Sequence, residues 1–330
     1  MRVLVLSRNA ALYSTSRLVL AARARGHEVS VVDPLDFQIA ISRGRPEMYL
    51  GTKPIPHADL VIPRIGASIT NYGLAVVRQF DMMGIPVLNT AVAIARSRDK
   101  LRSMQLLTRK DIDVPKTVCA RSPESVERAL QFIGGTPAIV KLQQGAQGIG
   151  TMIAETPAAV TSLLETLWAM GQDIILQEYI VESKGRDYRA IVVGGRLIAA
   201  MRRQAKKGEF RSNLHRGGAG VRVDLPDRYR RAAIGAARVM GLEVAGVDML
   251  EGRDGPKILE INSSPGLEGI ERTSGIDVAT AIVIHAERVA QKRNKTHDAG
   301  LDGERLTHRL KRGTAAKSRP RITQKRRTAG

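Results

Sequence analysis

The first ninety residues alternate between short apolar runs and longer amphipathic stretches, and this pattern constrains the fold more than any other feature of the chain. The apolar runs are typical of strands, and two of the stretches between them have helical length and stop at Gly26 and Gly84. Strand–helix–strand alternation favours an open parallel sheet with helices on its faces. We therefore expect an α/β domain over residues 1–97. Its expected strands are Val3–Leu6, Val29–Val32, Leu60–Ile62 and Pro86–Leu88, and its expected helices are Tyr13–Arg25 and Asn71–Met83.

Further strands and helices are predicted in residues 98–290. The dipeptide Gly194-Gly195 between two of these strands is typical of a hairpin turn. The expected strands are Ala138–Leu142, Ile174–Gln177, Tyr188–Val193 and Arg196–Met201, and the expected helices are Arg98–Lys110, Ala158–Met170, Asp227–Met240 and Val278–Gln291.

Three oxygen-bearing side chains meet in a predicted β-hairpin within residues 243–266. Glu260 and Asn262 are two residues apart and so share one face of their strand. A turn centred near Asp254 would place Asp248 roughly opposite Glu260. Carboxylates that close repel each other, and a hard dication such as Mg²⁺ or Mn²⁺ would relieve the repulsion. The alternative is a solvent-facing hairpin whose acids pair with nearby Lys or Arg.

Lys141 ends a predicted strand and is followed by the glycine-rich stretch QQGAQGIG. Gly145, Gly148 and Gly150 leave backbone N–H groups free to approach an anion. A lysine next to such a loop suits a polyphosphate, although this is not a Walker A motif because the lysine precedes the loop. The alternative is a flexible hairpin loop beside a surface lysine.

Two further segments suggest a nucleotide or an acidic ligand. The strand within residues 174–180 ends in polar residues, so its backbone edge could pair with adenine and Asp187 nearby with ribose; an ordinary strand end is the alternative. Residues 202–218 hold six Lys and Arg against one acid. Arg203 and Arg211, together with Asn213, are candidates for a pocket that binds carboxylates or phosphates, whereas the lysines of this segment are more simply a solvated face.

The net charge of +20 is concentrated at the C-terminal end. Residues 291–330 hold 13 Lys and Arg against 3 Asp and Glu, a net charge of +10. This basic tail has no aromatic residue and few aliphatic ones, so we expect it not to fold alone. It could bind RNA or an acidic protein surface. The alternative is a solvated tail with no specific role.

Composition excludes two kinds of site. Cys119 is the only cysteine, which excludes an intrachain disulfide and a cysteine-based zinc site and fits the reducing cytoplasm. No apolar run is long enough to span a bilayer, so we expect no membrane contact. The first residues, MRVLVLSRN, are typical of a first strand and not of a signal peptide.

Six segments, taken in order, resemble the ATP-grasp ligases, and specifically their RimK branch, whose enzyme adds glutamate to the C-terminus of the sixth protein of the small ribosomal subunit. The likeness runs from Met1 to about Arg288 and leaves the basic tail outside the family pattern. It implies an N-terminal open parallel-sheet (pre-ATP-grasp) domain followed by a two-part α+β ATP-grasp fold over residues 98–290. The central part would be residues 98–175, and the C-terminal part, with the metal site, would be residues 176–290. The segments are DKLRSMQLL (99–107), VKLQQGAQGIG (140–150), LQEYI (176–180), FRSNLHRGG (210–218), VAGVDML (244–250) and LEINSSPGLEGIE (259–271).

The resemblance also implies roles for individual residues. Asp248, Glu260 and Asn262 would ligate two Mg²⁺ or Mn²⁺ ions. Arg203 is the candidate for holding an acyl phosphate, with Arg202 adjoining it. The residues that would bind ATP are Lys100 and Lys141 at the phosphates, Glu178 and Tyr179 at the adenine, Asp187 at the ribose, and Arg211, Ser212 and Asn213 in the rest of the nucleotide pocket.

The implied chemistry activates a carboxylate, which is a poor electrophile. ATP transfers its γ-phosphoryl group to the carboxylate, and an amine then attacks the acyl phosphate and displaces phosphate. Such a transfer needs positioning and charge neutralisation, which two cations, Lys141 and an arginine would supply. His215 is a candidate base for the amine, although a structural role is the simpler interpretation of that histidine.

Three functions are compatible with the sequence. The first is a cytoplasmic, homo-oligomeric ligase that joins L-glutamate to the ribosomal protein. The second keeps the chemistry and uses another acceptor, such as a coenzyme glutamyl tail or an amino-acid biosynthetic carrier. The third is a ribosome- or RNA-binding protein that acts through its basic tail; the aromatic content of 3 % argues against base stacking as its mode of recognition.

Overall fold

The computed structural model describes residues 1–143, 150–183, 185–206, 209 and 218–292. Residues 1–286 form one compact unit, and the second unit, residues 287–330, is described as far as residue 292 and is helical there. The rest of the basic tail lies outside the described residues. In the described part of the chain, no helix is both long and apolar enough to cross a membrane.

Strands and helices alternate irregularly along the chain. The strands are β1 (Arg2–Leu6), β2 (Glu28–Val32), β3 (Phe37–Ser42), β4 (Arg45–Leu50), β5 (Lys53–Pro54), β6 (Leu60–Pro63), β7 (Thr117–Val118), β8 (Ala138–Leu142), β9 (Thr151–Ala154), β10 (Ile174–Glu178), β11 (Arg186–Val193), β12 (Arg196–Gln204), β13 (Ala219–Arg222), β14 (Val244–Gly252) and β15 (Gly255–Asn262). The helices are α1 (Tyr13–Ala24), α2 (Thr70–Met82), α3 (Ala91–Arg98), α4 (Lys100–Thr108), α5 (Val126–Ile133), α6 (Pro157–Ala169), α7 (Asp227–Met240), α8 (Glu268–Ser274) and α9 (residues 278–292).

The first domain is built on a parallel sheet, as the strand–helix alternation predicted. Its strand order is β2-β1-β6, and both strand pairs are parallel. Leu4 and Leu6 of β1 share one apolar core with Val61 of β6 and with Val76 and Phe80 of α2. Removal of these apolar side chains from water is the main term that holds the helix on the sheet.

The expected fourth strand at Pro86–Leu88 is wrong in extent. In its place, Val61 and Val87 form a single parallel bridge. Val61 N donates to Pro86 O (2.9 Å), and Leu88 N donates to Val61 O (2.9 Å). Pro86 has no N–H group to contribute to a longer ladder, so the pairing stays one residue deep.

An antiparallel sheet in the order β3-β4-β5 fills the connection between β2 and β6, where no strand was expected. β3 pairs with β4 from Phe37 opposite Leu50 to Ser42 opposite Arg45. β4 contains Pro46, a residue type that argues against a strand when only the sequence is considered. That explains why this hairpin was missed.

The helix expected over Arg98–Lys110 is two helices in the structure. α3 ends at Arg98 and α4 begins at Lys100. Asp99 between them caps α4, because its side chain accepts a hydrogen bond from Arg102 N (2.9 Å). An acid that looks like part of one helix therefore separates two helices.

A four-stranded antiparallel sheet in the order β7-β10-β8-β9 forms the central part. α5 and α6 share its apolar core, through side chains that include Leu130 and Leu164. The boundary expected between residues 175 and 176 falls inside β10, which pairs with β8 from Ile174 to Glu178.

The C-terminal part is a five-stranded antiparallel sheet in the order β13-β12-β11-β14-β15. The expected hairpin at Gly194-Gly195 joins β11 to β12, with φ angles of 57° and 73° that favour glycine. α7 packs against one face of this sheet, where Ala233 and Ala236 of the helix share a core with Val247 of β14.

Asn89 ties the first domain to the five-stranded sheet. Its side chain is buried, at 2 % exposure. It donates to Val244 O (2.8 Å) and Ser263 O (2.9 Å) and accepts from Glu243 N (2.8 Å) and Val244 N (2.9 Å). These bonds use the full capacity of the amide and fix both the start of β14 and the segment after β15.

Candidate functional site

The candidate site occupies the face of the five-stranded sheet that α7 does not cover. Side chains alternate across a strand, and Ala190, Val247 and Ile261 lie in the apolar core with α7. Their neighbours on the same strands therefore face the opposite side. The polar side chains on that face include Asp187 and Arg189 of β11, Arg203 of β12, Asp248 of β14, and Glu260 and Asn262 of β15.

Strand register brings these side chains into contact. Asp187 lies opposite Arg203, and Arg189 lies opposite Asp248. Asp248 in turn lies opposite Glu260, as the predicted hairpin required. One row of charged side chains thus crosses four strands and ends in two adjacent carboxylates, Asp248 and Glu260.

The hairpin reaches this pairing through a β-bulge. Gly252 lies opposite Gly255 and Met249 opposite Ile258, yet Asp248 lies opposite Glu260. The extra residue in β15 is Leu259, which a regular ladder would have placed opposite Asp248. The bulge therefore sets one carboxylate against another.

Asp248 is held between two arginines. Arg189 donates from Nε to Oδ1 (2.7 Å) and from Nη2 to Oδ2 (2.6 Å), and Arg203 Nη2 lies 3.1 Å from Oδ2. Burial, at 4 % exposure, acts to raise the pKa of Asp248. The positive charges of Arg189 and Arg203 outweigh burial and lower that pKa below its ordinary value. Asp248 is therefore an anion at neutral pH.

Asp187 and Arg203 form a buried ion pair on adjacent strands. Arg203 donates from Nε to Asp187 Oδ1 (2.7 Å) and from Nη2 to Oδ2. Burial raises the pKa of Asp187 despite the opposing effect of Arg203, and for Arg203 the charges of Asp248 and Asp187 outweigh burial and raise its pKa. Both oxygens of Asp187 are engaged by this arginine, and its expected contact with ribose stays a prediction.

Glu260 lies beside a second carboxylate, that of Asp248. Burial and then the negative charge of Asp248 raise its pKa, whereas Arg189, Lys100 and Lys141 act to lower it. A second cation close to Glu260 would therefore be favourable.

The two lysines expected at the phosphates reach the site from the central part. Lys141 Nζ donates to Gln177 Oε1 (2.5 Å), and Lys100 Nζ donates to Leu142 O (3.1 Å). Burial lowers the pKa of Lys141 to about 8 and also lowers that of Lys100, and the charge of Glu260 opposes both shifts. The structure thus brings both lysines towards the carboxylate row.

Asn262 completes an oxygen-rich set that fits a hard dication. Its Nδ2 atom is buried and has no hydrogen-bond partner among the described residues. The two ends of an amide are assigned from hydrogen bonding, so Asn262 can present its oxygen with Asp248 and Glu260. Two carboxylates and an amide oxygen are ligands that Mg²⁺ and Mn²⁺ accept. No group of three or more His, Cys, Asp or Glu suited to a metal occurs in the described residues.

The expected adenine residues end β10. Glu178 Oε2 accepts a hydrogen bond from Lys116 N (3.0 Å), and Glu178 N donates to Lys116 O (2.9 Å). Tyr179 follows it and is half-buried. The carboxylate of Glu178 is therefore fixed by the backbone at Lys116, just before β7.

Several expected site residues lie outside the described residues. They are Arg211, Ser212, Asn213 and His215, and with them residues 144–149 of the glycine-rich loop. Gly150, the last glycine of that loop, has φ +77°, and a Cβ built on it would lie 2.7 Å from Leu142 Cδ1. Only glycine fits at that position.

Arg189 was missed by sequence reasoning. It lies two residues from Asp187 and so shares its face of β11, which was the available signal. Its partner Asp248 is 59 residues away in sequence, and only the register between β11 and β14 brings the two together.

Comparisons with known proteins agree with this architecture. The RimK PreATP-grasp domain matches residues 1–94, and the RimK-like ATP-grasp domain matches residues 97–285. A relative from Shewanella frigidimarina, named probable alpha-L-glutamate ligase 2, is 51 % identical over 296 residues, which are 90 % of this chain and 99 % of the relative.

Solved structures with the same fold include ligases with bound nucleotide. The ATP-grasp ligase PsnB, complexed with minimal precursor, Mg and ADP, has a TM-score of 0.68 at 21 % identity and covers 88 % of this chain and 98 % of its own. D-alanine–D-alanine ligase from Bacillus anthracis, complexed with ATP, has a TM-score of 0.65 at 16 % identity and covers 90 % and 99 %. The expected pre-ATP-grasp and ATP-grasp folds are confirmed.

Proposed function

The chain belongs to the RimK-like ATP-grasp family of ligases, and we propose that it joins L-glutamate to the C-terminus of the sixth small-subunit ribosomal protein. The reaction consumes ATP and releases ADP and phosphate. The observation that carries the proposal is the carboxylate row of Asp248 and Glu260, with Asn262 beside it and Lys100 and Lys141 facing it. The relative named as a probable alpha-L-glutamate ligase supports glutamate as the amine substrate.

Asp248, Glu260 and Asn262 would hold two Mg²⁺ or Mn²⁺ ions. When bound, such ions neutralise the phosphate oxygens of ATP. The raised pKa of Glu260 and the unpaired amide of Asn262 both favour a cation at this point. Arg189 and Arg203 hold Asp248 in a fixed orientation, so this one ligand would be oriented before a metal ion binds.

Lys100 and Lys141 would bind the ATP phosphates as point charges. Arg203 is our candidate for holding the acyl phosphate, because its guanidinium group is fixed by Asp187 and by Asp248 and needs no reorganisation. Adenine and ribose are assigned on the family resemblance. That assignment comprises Glu178 and Tyr179 at the adenine, Asp187 at the ribose, and Arg211, Ser212 and Asn213 around the nucleotide.

The proposed reaction has two steps. A carboxylate oxygen of the acceptor attacks the γ-phosphorus of ATP, the bond to the bridging oxygen breaks, and ADP leaves. The glutamate amine then attacks the acyl carbon, the carbon–oxygen bond to phosphate breaks, and the amine loses its proton. Heavy-oxygen label in the acceptor carboxylate should therefore appear in the released phosphate; its absence would contradict the acyl phosphate.

The acceptor is tested directly by intact-protein mass spectrometry. Incubation of the ribosomal protein with this enzyme, ATP, Mg²⁺ and L-glutamate should add mass in glutamate increments. No added mass, together with glutamate-dependent ADP release on another acceptor, would favour the second candidate function. Coenzyme glutamyl tails and amino-acid carriers are the acceptors to compare.

The basic tail would be an accessory contact to ribosomal RNA. The family match ends at residue 285, and residues 291–330 carry a net charge of +10. Truncation after residue 290 should remove a salt-dependent RNA affinity without loss of ligase activity. Unchanged RNA affinity after truncation would contradict this role of the tail.

We further propose that the enzyme acts in the cytoplasm as a homo-oligomer. Sedimentation of the purified protein at micromolar concentration should show a species larger than one chain. A single monomeric species would contradict this state.

A further inference from the structure

Arg64 lies at the point where the strand order of the first domain reverses. It directly follows β6, and its backbone N–H donates to Leu6 O at the end of β1 (2.8 Å). From β1 the chain goes through α1 to β2 on one side, and from β6 it goes through α2 to Val87 on the other. In open parallel sheets, ligands bind in the crevice outside the carboxyl ends of the strands at such a reversal.

The guanidinium group of Arg64 has unused capacity. Nη2 donates to Pro265 O (2.8 Å), and burial lowers the pKa of Arg64 to about 10. In the described part of the chain, Arg64 forms no ion pair with an acid, whereas Arg189 and Arg203 have Asp248 and Asp187. A guanidinium group offers five N–H donors, and a desolvated cation without a counter-ion is unfavourable.

Pro265 connects Arg64 to the carboxylate row. A Cβ built on Gly246 would lie 2.7 Å from Pro265 Cβ, so the proline rests on the backbone of β14. Gly246 lies opposite Asn262 and two residues from Asp248, and so shares their face of the sheet. Arg64 therefore contacts the segment that lies on this face of the sheet next to Asn262.

Arg203, in contrast, ends the row that crosses the five-stranded sheet, and both Asp187 and Asp248 pair with it. Arg64 lies outside that row, in the first domain, and has no acid partner among the described residues.

We propose that Arg64 binds a substrate carboxylate that does not receive the phosphoryl group, and that it thereby selects acidic substrates. This rests on the proposed function, in which both substrates carry more than one carboxylate. The fork of an arginine matches a carboxylate in bidentate geometry. The group bound by Arg64 is the side-chain carboxylate either of the incoming glutamate or of an acceptor that ends in glutamate.

The experiment compares the wild type with Arg64→Gln and Arg64→Lys. Steady-state ADP release is measured against ATP, against L-glutamate, and against a synthetic peptide whose last residue is glutamate, the product class of one ligation. Arg64→Gln should raise KM for one of the two acids about tenfold or more and leave KM for ATP within about twofold. The acid affected identifies the source of the carboxylate, and Arg64→Lys should recover part of the loss.

An amide analogue separates binding from positioning. Glutamine in place of glutamate, or a peptide that ends in glutamine, removes the carboxylate from the substrate. With the amide, the wild type and Arg64→Gln should differ by no more than about twofold, because the partner of Arg64 is gone. An equal loss with carboxylate and amide would overturn the proposal.

Arg2→Gln is the matched control for charge. Arg2 lies at the amino end of the same sheet, where it pairs with Asp59 (3.3 Å), so its loss should leave both acid KM values unchanged. If Arg64→Gln does not fold, Arg64→Lys and the preference of the wild type for glutamate over glutamine carry the test. KM values for both acids within about twofold of wild type in Arg64→Gln or, failing that, in Arg64→Lys would overturn the proposal.

Failure of the proposed function is distinguishable in the same assay. A wild type that releases no ADP in response to glutamate contradicts the ligase reaction itself. Glutamate-dependent ADP release by the wild type, together with variant KM values for both acids that match those of the wild type, contradicts only the role of Arg64.

Discussion

Arg189 and Asp248 form a bidentate ion pair across adjacent strands, with Nε–Oδ1 at 2.7 Å and Nη2–Oδ2 at 2.6 Å. Asp248 is also a proposed metal ligand, so the guanidinium group and the cation share one carboxylate. The arginine lowers the pKa of the acid and keeps it ionised, and its positive charge opposes the ion. This relationship would set how strongly the proposed site binds a metal ion.

Replacement of Arg189 should therefore tighten metal binding while it impairs turnover. Arg189→Gln removes a positive charge next to the site, and we expect the Mg²⁺ concentration for half-maximal activity to fall about three- to tenfold. Turnover should fall, because Asp248 loses its fixed orientation. The measurement is ADP release as a function of free Mg²⁺; a higher Mg²⁺ requirement would contradict the account.

Loss of either carboxylate should abolish ADP formation. Asp248→Asn and Glu260→Gln each remove a proposed ligand and a charge, and we expect ADP release to fall about 100-fold or more. Glu251→Gln is the control. Glu251 lies on the same hairpin, its side chain is 42 % exposed, and its ion pair with Arg186 is loose, at 4.0 Å. ADP release that persists in both site variants, with melting temperatures showing folded protein, would refute the metal assignment.

Lys141 should make nucleotide affinity depend on pH. Its pKa is about 8 in the free protein because burial disfavours the charged form, and bound phosphates would raise that pKa. Affinity for ADP should therefore be steady below pH 8 and weaken as pH rises above it. Calorimetric titration measures this. Lys141→Arg stays charged and should flatten the profile; an unchanged profile in that variant would exclude Lys141 as the titrating group.

Gly246 should tolerate no side chain. A Cβ there would lie 2.7 Å from Pro265 Cβ, whereas a Cβ on Gly266 meets nothing within 4 Å. Gly246→Ala should cost about 1–3 kcal/mol in the free energy of unfolding and lower ADP release, and Gly266→Ala should behave as wild type. Urea denaturation compares the two, and equal stability would show that the proline does not rest on β14.

Asn89 should contribute more to the free energy of unfolding than an average buried residue does. Asn89→Ala leaves four backbone groups at Glu243, Val244 and Ser263 without their partner. We expect a loss of about 2–4 kcal/mol in the free energy of unfolding. Asn71→Ala on the exposed side of α2 is the control; equal losses in the two variants would contradict the linking role of Asn89.

Local patterns predicted the parts of the site that lie close in sequence. Glu260 and Asn262 share a face because they are two residues apart, and the predicted turn placed Asp248 roughly opposite Glu260, although the structure reaches that pairing through the bulge at Leu259. The same logic predicted the hairpin at Gly194-Gly195. Each of these inferences needs only strand periodicity and turn chemistry.

Contacts between residues far apart in the sequence could not be predicted from such local patterns. The pairing of Arg189 with Asp248 depends on how β11 aligns with β14, and the contact of Arg64 with Pro265 depends on how the first domain packs on the segment after β15. The break at Asp99 was missed for a different reason, because an acid within a helical pattern is compatible with both one helix and two.

The most direct test of the central claim is glutamate incorporation dependent on this carboxylate row. The ribosomal protein is incubated with ATP, Mg²⁺ and L-glutamate, in separate reactions with the wild type and with Glu260→Gln, and its intact mass is measured. The wild type should add glutamate increments and release one ADP per increment, and Glu260→Gln should do neither. Equal incorporation by the two enzymes, or ADP release by the wild type that does not depend on glutamate, would contradict the account.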